Sequence, residues 1–248
     1  MISDDVRDES TTGLIRKLRV RDSLSSEEAG VLAGMVADVR NFPADALLVP
    51  SNVPLDQCVL LVDGMVCRYK DLDTGQRQIL ELHVPGDFVD LHSFVLKRLE
   101  HNIASLTPVR MAIVPHARMK EVTERHPHLA RMLWFSTLLD AAINREWILS
   151  MGRRSAIARV AHIFCEVRVR LELVGLCVDG HYTLPLTQID LADASGLTPV
   201  HVNRMLRKLR DDRLLTFRGG DVVIHDREKL ERVAEFKPDY LFLERRPR

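Results

Sequence analysis

The sequence predicts an α+β chain in three parts: a β-rich first half, one long helix, and a winged helix-turn-helix at the C-terminal end. Three observations carry this prediction. Between Asn41 and Pro115, proline, glycine and Asp-Thr-Gly punctuation recurs every several residues, a spacing that suits short strands and excludes a helix. From Pro127 to Met151 there is no further proline and no glycine, and apolar residues recur at steps of three and four. From Leu184 the chain reads LPLTQIDLADASGLTPVHVNRMLRKLRDDRLLTFRGGDVVIHD: a cap, a helix, a glycine turn, a second cap, a second helix and two short strands.

In chain order, a helical segment is expected around Leu14 to Val39, with apolar Leu14, Ile15, Leu18, Val31, Leu32 and Met35. The runs Val59–Val62, Ile79–Leu82 and Val109–Ile113, divided by Pro85-Gly86-Asp87 and similar turns, read as strands of a sandwich or barrel. Pro127 suits a helix start. The helix that follows carries Leu129, Met132, Leu133, Leu139, Ile143 and Trp147 on its apolar stripe. That stripe either packs on its own domain or forms a dimer seam. Gly152 is expected to break it, and a further helix is expected from Arg153 to Val174, followed by a loop from Gly175 to Tyr182. Thr187 and Thr198 are good N-caps, Pro199 suits a first helical position, and Gly196 permits a sharp turn. Leu214 to Phe217 and Val222 to Ile224 form the wing, with Arg218-Gly219-Gly220-Asp221 at its tip.

Composition narrows the function classes. The chain has 248 residues, of which 46% are hydrophobic and 28% charged, within the range of soluble globular proteins. No run approaches the roughly 18 apolar residues of a membrane span. The acidic stretch Met1 to Ser10 lacks a signal-peptide pattern, so a cytoplasmic protein without a membrane partner is expected. The four cysteines, Cys58, Cys67, Cys165 and Cys177, have neither metal-site nor redox spacing, and reduced structural thiols are expected. Net charge is zero, but Gly152 to Arg248 carries 18 basic against 14 acidic residues, whereas the remainder carries 17 against 21. From Thr198 to Arg213 there are five basic residues, and the two acids, Asp211 and Asp212, stand at the far end. A helix N-terminus free of carboxylates attracts phosphate, and Arg and Asn side chains can read base edges. Double-stranded DNA is therefore the expected partner. No GxGxxG, P-loop, HExxH or GxSxG motif occurs, so no enzymatic activity, cofactor or metal is expected.

The segment DLADASGLTPVHVNRMLRKLR resembles the helix-turn-helix of the CRP/FNR family of transcription regulators, in the form frequent in alphaproteobacteria. The stretch PGDFVDLHSF resembles that family's cyclic-nucleotide-binding-like jelly roll, and the helix from Pro127 resembles its dimerisation helix. The resemblance spans about residues 14 to 240. It implies a sensor domain over 14–126, a dimerisation helix over 127–151 and a winged helix-turn-helix domain over 152–240. It further implies a homodimer on a palindromic operator, with RNA polymerase as a candidate partner and Leu139, Ile143 and Trp147 at the seam. Arg204 falls at a base-contacting position; Thr187, Thr198, His201 and Arg218 fall at phosphate-contacting ones; Gln188, Pro199, Asn203 and Lys208 complete the expected DNA-facing set. The chain departs from the cyclic-AMP-responsive members, which carry Arg-Glu where Pro199-Val200 stands here, so a different target sequence is implied.

The sensor departs as well. Members that bind cyclic AMP use a Gly-Glu-Leu turn and an Arg-Ser pair. Here Asp90 and Leu91 occupy the first site and no arginine the second, although Arg98 lies nearby. Asp90 would meet a phosphate with like charge, so cyclic AMP is not the expected effector. Asp90, His92, Arg98 and His101 remain effector candidates. The alternative is a ligand- or haem-sensing regulator gated through the β domain, for which His83, His92, His101 and His116 are the available ligands. The N-terminal cysteine cluster of the iron–sulfur members has no counterpart before Cys58.

Overall fold

The computed structural model describes residues 2–247. In order, its elements are α1 (Asp4–Arg21), α2 (Ser26–Gly34), β1 (Asp38–Phe42), β2 (Leu47–Val49), β3 (Gln57–Asp63), β4 (Val66–Asp71), β5 (Arg77–His83), α3 (Ser93–Leu96), β6 (Asn102–Ser105), β7 (Val109–Pro115), α4 (His116–Arg125), α5 (Pro127–Arg153), α6 (Ala156–Glu172), β8 (Cys177–Val178), β9 (His181–Thr183), α7 (Gln188–Ser195), α8 (Pro199–Asp211), β10 (Leu215–Arg218), β11 (Asp221–Ile224) and α9 (Arg227–Ala234), followed by a 3-10 turn at Pro238–Leu241. The fold class is as expected: a cyclic-nucleotide-binding-like β domain, a long helix and a winged helix-turn-helix.

Two units form. The first comprises the residues up to Arg68, Leu82–Ala141 and Phe242 onward; the second comprises Tyr69–Glu81 and Ala142–Leu241. The boundary in α5 thus falls between Ala141 and Ala142.

The strands of the β-rich half form sheets of order β1-β7-β3 and β2-β6-β4-β5. Val49, Val59, Leu61, Val66, Val89, Leu99, Ile103, Val109, Met111 and Ile113 fill the space within the β domain. A second cluster joins α1, α2, α4 and the start of α5 to the outer face of β3 and β7, through Leu14, Leu18, Leu32, Met119, Leu129 and Met132 among others. The segment expected to be helical around Leu14 to Val39 is two helices, beginning ten residues earlier at Asp4. A capping box at Ser25 and Glu28 starts α2, and Asp38 and Val39 belong to a strand. Helix α1 lies directly on the Pro85–Asp87 turn. A Cβ on Gly86, whose φ is +88°, would come within 2.5 Å of the Gly13 carbonyl carbon, so the approach requires glycine. Lys17 Nζ pins the same turn through Asp87 Oδ1 at 2.5 Å.

In the second unit α6 is the central element, packing against α7, α8, α9 and β8. Gly152 does not break the preceding helix, which continues to Arg153; the glycine is exposed and no Cβ clash would arise there. The break comes at Ser155, whose side chain caps α6 by accepting the Ala158 N–H. The expected loop from Gly175 contains β8 and β9, which extend the wing into a sheet of order β10-β11-β9-β8.

Helix α6 buries charge. Glu166 accepts hydrogen bonds from Tyr240 Oη at 2.7 Å, Trp147 Nε1 at 3.2 Å and Arg170 Nη1 at 3.2 Å. Arg168 reaches Glu172 at 2.6 Å and Glu231 of α9 at 2.9 Å. Burial pushes the Glu166 carboxyl up, and its three donors pull it back. Tyr240→Phe removes one donor to a buried carboxylate and is expected to destabilise the protein by about 2 kcal/mol, measurable by urea denaturation. A change within about 0.5 kcal/mol of zero would show that this bond contributes little.

Candidate nucleic-acid interface

The geometry of α7 and α8 is set locally. Thr187 caps α7: its hydroxyl accepts the Asp190 N–H, and the Asp190 carboxylate accepts the Thr187 N–H at 2.9 Å. Gly196 ends α7 with φ +63°, and its N–H donates to Ala192. Thr198 then caps α8, accepting the His201 N–H at 3.3 Å, with Pro199 at the first helical turn. Only Gly196, Leu197 and Thr198 separate the helices, so the cap of one and the start of the other fix their crossing.

Val202 and Leu209 of α8 are fully buried, and Leu206 and Met205 are half-buried. The opposite face is exposed at Pro199, Val200, His201, Asn203, Arg204, Arg207 and Lys208. Counting 100° per residue, Val200, Arg204 and Arg207 stand within roughly 40° of the line opposite Val202. They line a shallow groove with Gln188, Pro199 and Asn203. Among the described residues, Arg204 and Arg207 have no ion-pair partner, whereas Lys208 Nζ lies 3.8 Å from Asp212. Asn203 Nδ2 donates to Gln188 Oε1 at 3.2 Å, which ties the exposed faces of the two helices together. At the wing, Arg218 is exposed, and Gly219 and Gly220 both take positive φ, the requirement of a type I′ hairpin.

The structure thus brings Gln188, Thr198, Pro199, His201, Asn203 and Arg204 onto adjoining surfaces. Thr187 is exposed, but its hydroxyl is engaged with Asp190 in the cap. Sequence reasoning left Arg207 out of the DNA-facing set, although helical periodicity places it beside Arg204. It also missed Arg77. The Arg77 guanidinium holds both acids of α7, Asp190 at 2.7 Å and Asp193 at 2.8 Å, and Gln78 Nε2 donates to the Asp193 carbonyl at 2.6 Å. No local signal marks a pair 113 residues apart.

The expected dimerisation residues need correction. Ile143 and Trp147 are buried within the chain, at 2% and 7% exposure, and Trp147 donates to Glu166; Leu139 is half-buried. The apolar residues that α5 leaves uncovered include Trp134, Leu138 and Ile148, at 67%, 53% and 71% exposure. Trp134, Leu138, Ala141, Arg145 and Ile148 follow steps of four and three, roughly opposite the residues first expected.

The effector candidates differ in exposure: Asp90 and His101 are buried, His92 is half-buried and Arg98 is exposed. Asp90 is fully buried, and its Oδ1 accepts the Val59 N–H at 2.6 Å. That bond ties the Asp90 side chain to β3, and Ser93 Oγ lies 3.5 Å from its Oδ2. Beneath it, Arg68 Nε donates to the Val89 carbonyl and Nη2 reaches Asp140, both at 2.9 Å. His92 and His101 stand 5.5 Å apart, ring to ring, while Arg98 is exposed. Burial, and then the Arg68 charge, pull His92 down to about 3. His116 Nε2 instead faces Ser93 Oγ at 3.3 Å, and His83 Nδ1 lies 3.9 Å from Asp87. Among the described residues no cluster of three His, Cys, Asp or Glu side chains could hold a metal ion, and no helix is long and apolar enough to cross a membrane.

A Crp-like helix-turn-helix domain model matches residues 158–233, and a cyclic nucleotide-binding domain model matches residues 39–126. The chain is 29% identical to the transcriptional activatory protein AadR of Rhodopseudomonas palustris over 89% of this chain and 90% of that protein. It is 27% identical to the transcriptional activator protein FnrL of Cereibacter sphaeroides over 85% of each. Among solved structures it resembles FixK2 of Bradyrhizobium japonicum, with a TM-score of 0.73 and 27% identity over 80% of this chain and 97% of that one. A CRP/FNR-family regulator of Thermus thermophilus, at a TM-score of 0.63 and 20% identity over 80% of this chain and 99% of that one, shares the fold.

Burial pushes the Asp90 carboxyl up to about 7. An unfolded chain releases this proton near pH ~4, so stability falls as pH rises from about 4 to about 7. Asp90→Asn removes that slope. Between about pH 5 and pH 8 the variant is expected to gain on the wild type by on the order of 2 kcal/mol, read from urea midpoints. An identical difference at both pH values would show that Asp90 is ionised throughout.

Proposed function

We propose, from the premise that the chain belongs to the CRP/FNR family of transcription regulators, that it acts as a homodimer reading a palindromic operator with α8, independently of cyclic AMP. The observation that carries the reading is the outward face of α8. Arg204 and Arg207 stand there without ion-pair partners among the described residues, beside a capped, acid-free N-terminus that also presents His201 and Asn203. Arginine can bond both major-groove acceptors of a guanine at once, and Arg204, under two turns from the helix start, is the principal base reader. Arg218 at the wing tip suits a phosphate contact, which holds the protein on DNA without reading sequence. Two such helices on a two-fold axis would meet half-sites about one helical turn apart, the spacing at which dimeric helix-turn-helix regulators, the family's catabolite activator among them, bind DNA.

The exposed stripe Trp134, Leu138 and Ile148 supports the dimer. Apolar residues at heptad-like spacing along one helix form the surface that a second copy of the same helix buries. Asp90, engaged by the Val59 N–H, supports a regulator whose sensor does not take a cyclic nucleotide phosphate. The relatives are named as activators, which makes RNA polymerase the protein partner to test. No catalytic step is part of this reading, and its place of action is the cytoplasm, with the DNA.

Binding-site selection with purified protein is expected to return an imperfect palindrome. Arg204→Ala is expected to relax one symmetric pair of positions, losing about 1–3 kcal/mol of discrimination in each half-site. Arg218→Ala is expected to weaken all sequences alike and flatten the salt dependence. A motif unchanged by Arg204→Ala but altered by Arg218→Ala would reverse the assigned roles.

For the dimer, sedimentation of the wild type at micromolar concentration is expected to give twice the chain mass, and Trp134→Glu with Leu138→Glu is expected to give monomer, since charge in an apolar seam is strongly unfavourable. A monomeric wild type would refute the dimer.

A further inference from the structure

Val200 is 78% exposed, more than any other large apolar side chain among the described residues. It stands in the first turn of α8, on the line opposite the buried Val202, with Arg204 one turn further on. Its neighbours on the outward face, His201, Asn203, Arg204, Arg207 and Lys208, are all polar. Valine is also a weak helix former, so neither helix propensity nor packing within the chain accounts for it there.

The chemistry of the groove does. Along the major-groove edges of B-DNA the four bases present hydrogen-bond donors and acceptors and a single apolar group, the C5 methyl of thymine. An aliphatic side chain at the centre of a base-reading surface has that methyl as its matching partner. Val200 and Arg204 lie four residues, roughly 6 Å, apart along the helix, against about 3.4 Å per base pair. They therefore address different pairs, one or two steps apart.

We propose that Val200 is a specificity-determining residue that reads the 5-methyl group of a thymine, one or two base pairs from the pair read by Arg204. The proposal rests on the DNA-binding reading of α8. It requires the site to distinguish thymine from uracil, and 5-methylcytosine from cytosine, because each pair differs only in that methyl group.

The test uses the full chain and the duplex returned by selection, with each thymine in turn replaced by deoxyuridine in both half-sites. At one symmetric position the wild type is expected to lose roughly four-fold in affinity per half-site, the size expected for one buried methyl group. Val200→Ala is expected to bind the thymine and deoxyuridine duplexes equally, and cytosine at that position is expected to bind the wild type better once 5-methylated. Val200→Ile, which keeps the aliphatic surface, is expected to retain the preference. Because the side chain is exposed, circular dichroism is expected to show all three proteins equally folded. The proposal is overturned if no thymine is sensitive to loss of its methyl, or if the sensitivity persists in Val200→Ala. If selection returns no duplex at all, the DNA-binding reading fails and this proposal falls with it; a selected duplex indifferent to methyl removal sinks the proposal alone.

Discussion

The ion pairs buried along α6 constrain the whole of the second unit. Glu166 and Arg168 are at most 1% exposed, and neither is satisfied by α6 alone. Glu166 takes donors from Trp147 and Tyr240 as well as from Arg170, and Arg168 needs Glu231 of α9 in addition to Glu172. Buried pairs add little net stability, but losing one partner leaves an uncompensated charge that is strongly destabilising. The elements around α6 are thereby held at particular distances and angles. Helix α8 packs against α6 and buries Val202 and Leu209, so the pose of its exposed face inherits the precision of polar contacts made elsewhere.

What could be read from the sequence was what is decided locally. Thr198 and Pro199 at a helix start, Gly196 between two helices, and the paired glycines at the wing tip each encode a conformation within a few residues, and the structure has them where they were expected. Gly152 shows the limit of that logic. A glycine weakens a helix by about 1 kcal/mol, which an otherwise regular 27-residue helix absorbs. The capping serine three positions later is what ends the run and restarts it.

Long-range facts were not legible, for two different reasons. Periodicity gives the faces of α5 but not which face its own chain covers. Leu139, Ile143 and Trp147 and the stripe of Trp134, Leu138 and Ile148 are both apolar series at helical spacing, and only folded burial separates them. Arg77 and Arg68 are a different case, since each finds its acids far along the chain and nothing near either residue announces them. At Asp90 the sequence carried only the expectation that a phosphate would meet like charge. That the carboxylate holds the Val59 N–H needed the β3 strand in place beside it.

The bridge from Arg77 to Asp190 and Asp193 has a consequence for module exchange. Tyr69–Glu81 belongs to the β-rich stretch in sequence and to the helix-turn-helix unit in packing, so that unit is built from two separated lengths of chain. A single cut cannot excise it. A fragment beginning at the end of α5 would leave two neighbouring carboxylates on α7 without their guanidinium, one of them also accepting the Thr187 N–H at the helix start. A chimera that borrows the reading helices from another regulator would need a hairpin matched to its new α7. Shuffling at one junction is then expected to yield stable hybrids chiefly when the residue at position 77 and the two acids travel together.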